Sequence, residues 1–347
     1  MTGQLLPESP ARPARPLALS LGDPAGIGPE IVAKSWVALR DTGPAFVVVG
    51  DYDLTASAMP VRLRAAARRV SSPAETDRLF AEVLPVIDVP LVAPVVSGKP
   101  SPAHAPAVIR WIETAVGLAL SGAVSGLVTA PIAKAPLYEA GFRFPGHTEF
   151  LAELTAGAPY VGQRGPVMML TAGDLRTVLV TIHQPLREAI DALTEEAVVH
   201  VGRVTAEALR RDFGIAAPRL VLAGLNPHAG EGGALGREEI ELLNPAAARL
   251  RALGIDCPDA RPADSLFHAE ARARYDAAIC LYHDQALIPV KTVDFWGGVN
   301  ATLGLPIVRT SPDHGVGYDI AGRGYARPDS LIAAVRLAAQ MAARRGA

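Results

Sequence analysis

Cysteine is nearly absent: Cys257 and Cys280 are the only two in 347 residues, and no CxxC spacing occurs. That excludes a disulfide framework, fits a reducing cytoplasm and leaves no thiol with an obvious catalytic partner. An excess of charge is absent too, since 33 Lys+Arg against 35 Asp+Glu leave a formal net charge of -2. Recognition of nucleic acid or of an acidic membrane by a basic face is therefore not expected. No apolar run is long enough to span a bilayer. The opening stretch MTGQLLPESPARPARP lacks the apolar centre of a signal peptide and reads as a disordered tail over residues 1–16. Asn300-Ala301-Thr302 matches a glycosylation triplet but carries no meaning in the cytoplasm. Three signatures are missing as well. There is no Walker A loop and no GxSxG elbow, and Gly26-Ile27-Gly28 is followed by Pro29, Glu30 and Ile31, so the dinucleotide pattern GxGxxG fails.

What is present is a large apolar fraction, half of all residues, with a fifth charged. This suits a sizeable core in one large or two ordinary domains. Strands are expected at 17–21, 45–49, 126–129, 220–225 and 277–281, and a β pair at 167–170 and 177–182 is joined through Gly173-Asp174. Pieces near 61–70 and 83–95 are strand-like but broken by proline. A helix is expected at 29–39, with Pro29 in its first turn. Another is expected at 105–120, where Val108, Ile109, Ile112, Val116 and Leu120 fall on one side. A third runs from Thr194, a good N-cap, to 213, and Gly214 stops it. Further helices are expected at 238–253 and 330–343. Alternating strands and helices imply an α/β protein with parallel pairing.

In a parallel sheet, function collects outside the carboxyl ends of strands. The run 277–281 stops abruptly at Tyr282-His283-Asp284-Gln285, and Lys291, Asn300, Arg309 and the turn Ser311-Pro312-Asp313-His314-Gly315 follow. His183, His228 and His283 each stand at or just beyond an apolar strand. If those strands are neighbours, three imidazoles converge, which suits a catalytic divalent ion with an open position. Unrelated loop histidines remain the alternative. Asp264 and Asp284 are either orienting partners of such imidazoles or solvated loop residues. His200, His104 and His268 read as surface. Lys291, Asn300 and Arg309, with donors from His147 and Thr148, suit a phosphate or carboxylate, against the alternative of ordinary loop charges. His147-Thr148-Glu149 has the H-x-E form of zinc deaminases, but no P-C-x-x-C follows, which excludes them. The glycine turn at 22–30 leads into a helix N-terminus fit to meet an anion or a nicotinamide.

Seven blocks occur in order: GDPAGIGPEI (22–31), TAPIAK (129–134), FPGHTEFLAELT (144–155), NPHAGEGG (226–233), RPADSLF (261–267), YHDQALIPVK (282–291) and GVNATLGLPIVRTSPDHG (298–315). On these, the chain from residue 17 onward resembles the 4-hydroxythreonine-4-phosphate dehydrogenase family of pyridoxal phosphate (vitamin B6) biosynthesis. The resemblance implies an isocitrate/isopropylmalate dehydrogenase-like α/β fold, two-lobed, with a parallel-rich sheet and the active site in the interlobe cleft. Residues 17–143 and 300–347 would form the NAD-side lobe, and 144–299 the metal, substrate and dimerisation lobe. It implies one divalent metal (Zn, Mg, Mn or Co) on His183, His228 and His283, with His283 supplied by the partner subunit of a homodimer. It implies substrate binding by His147, Thr148, Lys291, Asn300 and Arg309. NAD or NADP would lie near Gly26, Gly28, His314, Gly315 and Asp319, and Asp264 or Lys291 are candidates for the general base.

The implied reaction is NAD-dependent oxidation of 4-phosphohydroxy-L-threonine to a β-keto acid that decarboxylates to 3-amino-2-oxopropyl phosphate. One departure stands out. The family pattern HGTAFDIAG reads HGVGYDIAG here, so Val316, Gly317 and Tyr318 replace Thr, Ala and Phe. Cofactor choice between NAD and NADP stays open on that account. Related branches act on phosphorylated sugar acids (erythronate or threonate) and on cis-diol acids. Related folds include phosphate acyltransferases, which need neither NAD nor metal; the three histidines argue against that class. No attached regulatory domain favours a non-catalytic sensor.

Overall fold

The computed structural model describes residues 15–144 and 146–346. The expected tail at 1–16 falls outside them except for Arg15 and Pro16. Both are tied down: Ser125 donates to the Arg15 carbonyl from Oγ and to the Pro16 carbonyl from its backbone N–H, each at 2.9 Å.

The described strands are β1 (Leu17–Ser20), β2 (Phe46–Gly50), β3 (Ala67–Arg69), β4 (Leu84–Asp88), β5 (Leu127–Thr129), β6 (Val167–Ala172), β7 (Leu175–Leu179), β8 (Leu220–Leu222), β9 (Ala277–Cys280), β10 (Val299–Leu303) and β11 (Arg309–Pro312). They form one sheet in the order β3-β4-β2-β1-β5-β11-β10-β6-β7-β9-β8. The six strands from β3 to β11 run parallel, and so do β7, β9 and β8. Between these blocks, β10 is antiparallel to both neighbours and β6–β7 is an antiparallel hairpin. The two parallel blocks therefore point in opposite directions. β1, β2, β5, β8 and β9 are buried along their whole length, as expected for apolar strands covered on both faces.

Helices cover the sheet where local sequence dictates them. In Glu195–Phe213, Thr194 Oγ1 accepts from Ala197 N at 3.1 Å, and Gly214 ends the helix in the left-handed conformation, φ 72°. Helix Ala105–Leu120 buries Trp111, and Gly28–Leu39 buries Trp36. Each indole donates to a carbonyl, Trp111 to Val89 at 2.8 Å and Trp36 to Phe80 at 2.9 Å. The last helix, Asp329–Arg345, packs on β11 and against both Glu195–Phe213 and Gly28–Leu39. Its end is pinned by the fully buried Asp212 side chain, which takes Arg345 Nε at 2.6 Å and Arg211 Nε at 2.8 Å. No described helix is long and apolar enough to cross a membrane.

Several local expectations shift. Residues 61–66 form a tight helical turn before the short β3, and the 238–253 helix opens with a wide π turn, Glu239–Leu243, before Asn244–Ala252. His104 is buried rather than on the surface. It ends the turn Pro102–His104, and its Nε2 meets the Pro94 carbonyl at 3.1 Å.

Candidate active site

The first component is a buried cation with no ion pair among the described residues. Arg309 opens β11, is 3% exposed, and donates to two neutral hydroxyls, Thr129 Oγ1 at 2.7 Å and Thr302 Oγ1 at 2.9 Å. Burial pushes its guanidinium down to about 10, with Glu149 pulling weakly the other way. Arg309 lines a cavity of about 250 Å³ with His147, Thr148, Asn300 and Lys134. Among the described residues, Arg309 Nε, His147 Nε2 and Asn300 Oδ1 are buried there without a hydrogen-bond partner. Buried polar atoms are almost always satisfied, so three orphans around one cavity mark partners that come from a ligand. His147 and Thr148 begin the helix His147–Leu154, whose start is held by Phe142, Phe144 and Phe150, ring centroids 5.1 to 5.3 Å apart. The unpaired N–H groups and positive end of a helix suit an anion.

Burial, and then the Arg309 charge, hold His147 well below its ordinary value of 6.5. A base depressed in the fold stabilises it above the unfolded value and loses that contribution as pH falls toward the folded one. Urea unfolding of the wild type is thus expected to weaken between pH 7.5 and 5.5 more than that of His147→Asn. Equal pH slopes for the two proteins would refute this.

The second component is a pair of imidazoles. His183 follows β7, His283 begins the helix His283–Val293 after β9, and their ring centroids lie 5.7 Å apart. Asp284 Oδ1 meets His283 Nδ1 at 2.7 Å, fixing that ring. Burial first, then Lys134 and His283, lower His183 and keep it neutral, the form that ligates metals. The pair lines a cavity of about 330 Å³ with Tyr282 and Leu186.

His228 does not join the pair within one protomer, although its strand, β8, lies beside β9. It sits in the turn Pro227–Gly233, where His228, Ala229 and Glu231 hold φ of 54°, 52° and 44°. Three non-glycine residues in the left-handed region are strained backbone, and such strain concentrates at functional sites. The turn is held by Glu239, 2% exposed, whose Oε1 accepts from the backbone N–H of Leu225 and Asn226, both at 2.8 Å. Among the described residues, no group of three or more His, Cys, Asp or Glu is placed to hold a metal ion. Asp264 lies exposed in the short turn Ala263–Ser265 and lines neither cavity.

The third component gathers the segments expected to meet a cofactor. Ile27, His314, Gly315, Gly317 and Trp296 line a cavity of about 260 Å³. Lys291, expected beside the substrate, lines this cavity instead. Helix His283–Val293 carries it to Asp313, where Nζ meets Oδ2 at 2.8 Å and the backbone carbonyl at 2.6 Å. Gly26 and Gly28 serve close packing within the chain: a Cβ would lie 2.7 Å from the Val316 carbonyl at the first and would run into the Leu21 carbonyl at the second. Asp319 is exposed. His314 lines both the Arg309 cavity and this one, and His183 joins the Arg309 cavity to the imidazole pair, so the three cavities are consecutive.

Sequence reasoning missed Thr129, Thr302 and Glu239, which position the site, and Lys134, which lines it. TAPIAK displays Thr129 and Lys134 at a strand end, but pairing across the sheet alone reveals their partners. Both cysteines are buried; burial raises Cys257 to about 12 and Cys280 as well, which rules out a thiolate nucleophile.

Residues 43–338 match the family model described as Pyridoxal phosphate biosynthetic protein PdxA. The chain is 70% identical over 334 residues, 96% of its length and 99% of the relative's, to a 4-hydroxythreonine-4-phosphate dehydrogenase of Caulobacter vibrioides. It is similar to the solved 4-hydroxythreonine-4-phosphate dehydrogenase from Klebsiella pneumoniae, with a TM-score of 0.83 and 37% identity over 96% of this chain and 99% of that one. It is also similar to a terephthalate 1,2-cis-dihydrodioldehydrogenase from Burkholderia xenovorans, with a TM-score of 0.63 and 30% identity over 94% and 98%.

Proposed function

The chain belongs to the pyridoxal phosphate biosynthetic protein PdxA family, with its isocitrate/isopropylmalate dehydrogenase-like fold, and from that premise we propose that it oxidises 4-phosphohydroxy-L-threonine with NAD. The product is a β-keto acid that loses carbon dioxide to give 3-amino-2-oxopropyl phosphate. The observation that carries the substrate reading is Arg309, a buried cation that among the described residues bonds to two hydroxyls, beside His147 Nε2, which has no described partner. A phosphate dianion provides acceptors for Arg309 Nε and for the N–H groups opening the helix His147–Leu154. The Oδ1 of Asn300 accepts from a donor of the same substrate. His183 flanks this cavity toward the imidazole pair and His314 toward the cofactor cavity. A substrate anchored by its phosphate is thus held between the two.

The neutral His183 and the oriented His283 are of the right donor type for a divalent ion (Zn, Mg, Mn or Co). In this reading the set is completed across the interface of a homodimer, with His228 and His283 serving one ion from different subunits. Leu186, 57% exposed on the wall of the imidazole cavity, is an apolar surface such an interface would cover. When bound, the ion supplies Lewis acidity toward the substrate hydroxyl and NAD supplies the hydride acceptor. The protein's part is to bind the phosphate, keep His183 neutral, fix His283 through Asp284 and hold the acid between the imidazoles and the cofactor.

The test is a substrate panel with purified enzyme, a divalent ion and NAD. Ranked by kcat/KM, 4-phosphohydroxy-L-threonine is expected to lead 4-phosphoerythronate and a cis-dihydrodiol acid. A lead for either competitor moves the substrate to that branch, and turnover without NAD overturns the dehydrogenase reading.

A further inference from the structure

We propose that Tyr318 is a positioning residue for the dinucleotide: its hydroxyl latches the loop 314–322 onto the glycine turn 22–28 through Asp23. The proposal rests on reading the third cavity as the cofactor's. Tyr318 Oη donates to Asp23 Oδ2 at 2.6 Å, and Asp23 is 7% exposed. The other oxygen, Oδ1, accepts from Ala25 N at 2.9 Å, so one carboxylate shapes the turn and holds the loop at once.

The same two segments meet again through backbone. Ile27 N donates to the Val316 carbonyl at 2.8 Å, and Gly317, at φ 55°, lies so close to Ile27 that a Cβ would sit 3.1 Å from its Cγ2. Ile27 on the turn and Gly315, Gly317 and Ile320 on the loop all line the cavity. Tyr318 sits among the loop residues, and its bond ties the two lining segments together. The backbone link is available to any sequence, whereas the Tyr318 link is not. The family pattern carries Phe at this position, which has no donor. Without the hydroxyl, Asp23 Oδ2 loses the donor it has in a buried setting, and a hydrogen bond to a carboxylate is among the stronger kinds. A loop that opens more often lowers the fraction of molecules able to bind, and apparent affinity falls by that fraction.

Tyr318→Phe tests this with two readouts. In the ligand-free protein, hydrogen exchange of the backbone amides of 315–320 is expected to rise by roughly tenfold. In turnover, KM for NAD is expected to rise by about two- to fivefold, with kcat and KM for the phosphorylated acid little changed. In a double-mutant cycle the effect of Tyr318→Phe should shrink in the Asp23→Asn background, because the two side chains share one bond. Unchanged exchange overturns the latch. Faster exchange with an unchanged KM for NAD reduces Tyr318 to a structural residue and overturns the positioning role. A lowered melting temperature as the sole change has the same consequence. A wild type that turns over without NAD overturns the cofactor reading and the positioning role with it, whereas the exchange arm judges the latch independently.

Discussion

Mixing His228→Ala protein with His283→Ala protein is expected to restore activity that neither has alone. Each single variant should lose about 10³-fold or more in kcat, because a ligand to a Lewis-acid ion supplies several kcal/mol of transition-state stabilisation. The reason for recovery is geometric. Within one protomer His183 and His283 are neighbours, His228 sits in its left-handed turn, and no described trio is placed to hold an ion. If His228 and His283 serve one ion from different subunits, a mixed dimer has one site with both substitutions and one with neither. Random exchange makes half of the dimers mixed, so about a quarter of wild-type activity should return. A site built within one protomer would leave every site damaged, and the mixture would stay inactive. Subunit exchange must be driven by partial unfolding and refolding together, and tagged copies report that mixed dimers formed.

Replacing Arg309 with Met is expected to separate stability from function. The guanidinium is charged at neutral pH in both folded and unfolded chains, yet burial lowers it to about 10 from 12.5. Below the folded value that penalty is constant with pH and destabilises the fold by on the order of 3 kcal/mol. Methionine fills similar volume and carries no charge, so the melting temperature should hold or rise. The phosphate would lose its buried charged donor, and kcat/KM should fall by about 10²–10³-fold. Partial rescue of Arg309→Ala, which leaves the space open, by added guanidinium distinguishes loss of this contact from misfolding. A variant that melts lower and keeps its kcat/KM would make Arg309 a structural residue and remove the main support for a phosphate site.

Much of the fold could be read along the chain because the signals are local. Thr194 and Gly214 bracket their helix, the apolar stripe of 105–120 matches the helix Ala105–Leu120, and the strand ends at Leu179, Leu222 and Cys280 fall within a few residues of expectation. The opposed direction of the two parallel blocks could not be read. It depends on β10 entering between β11 and β6, and its pairing with β6 joins segments more than a hundred residues apart. The site divides the same way. His147 and Thr148 stand together in sequence and open one helix. Arg309 reads as a candidate anion ligand, but its burial against Thr129 and Thr302 shows only once its strand is paired. Lys291 is placed by its helix beside Asp313, a partner that its position in the sequence does not announce. His228 follows its strand as expected, but five consecutive left-handed residues redirect the chain, and only Gly230 and Gly232 among them announce it in sequence. Tyr318 was visible as a departure from a pattern; its partner Asp23, 295 positions away, was not.

The most direct measurement is the stoichiometry of the reaction itself. Purified enzyme, a divalent ion, NAD and 4-phosphohydroxy-L-threonine should form one NADH and release one carbon dioxide per substrate consumed, with the unphosphorylated amino acid turned over at least about 10²-fold less efficiently. Absence of NADH, or equal turnover of the phosphorylated and unphosphorylated acids, would contradict the account.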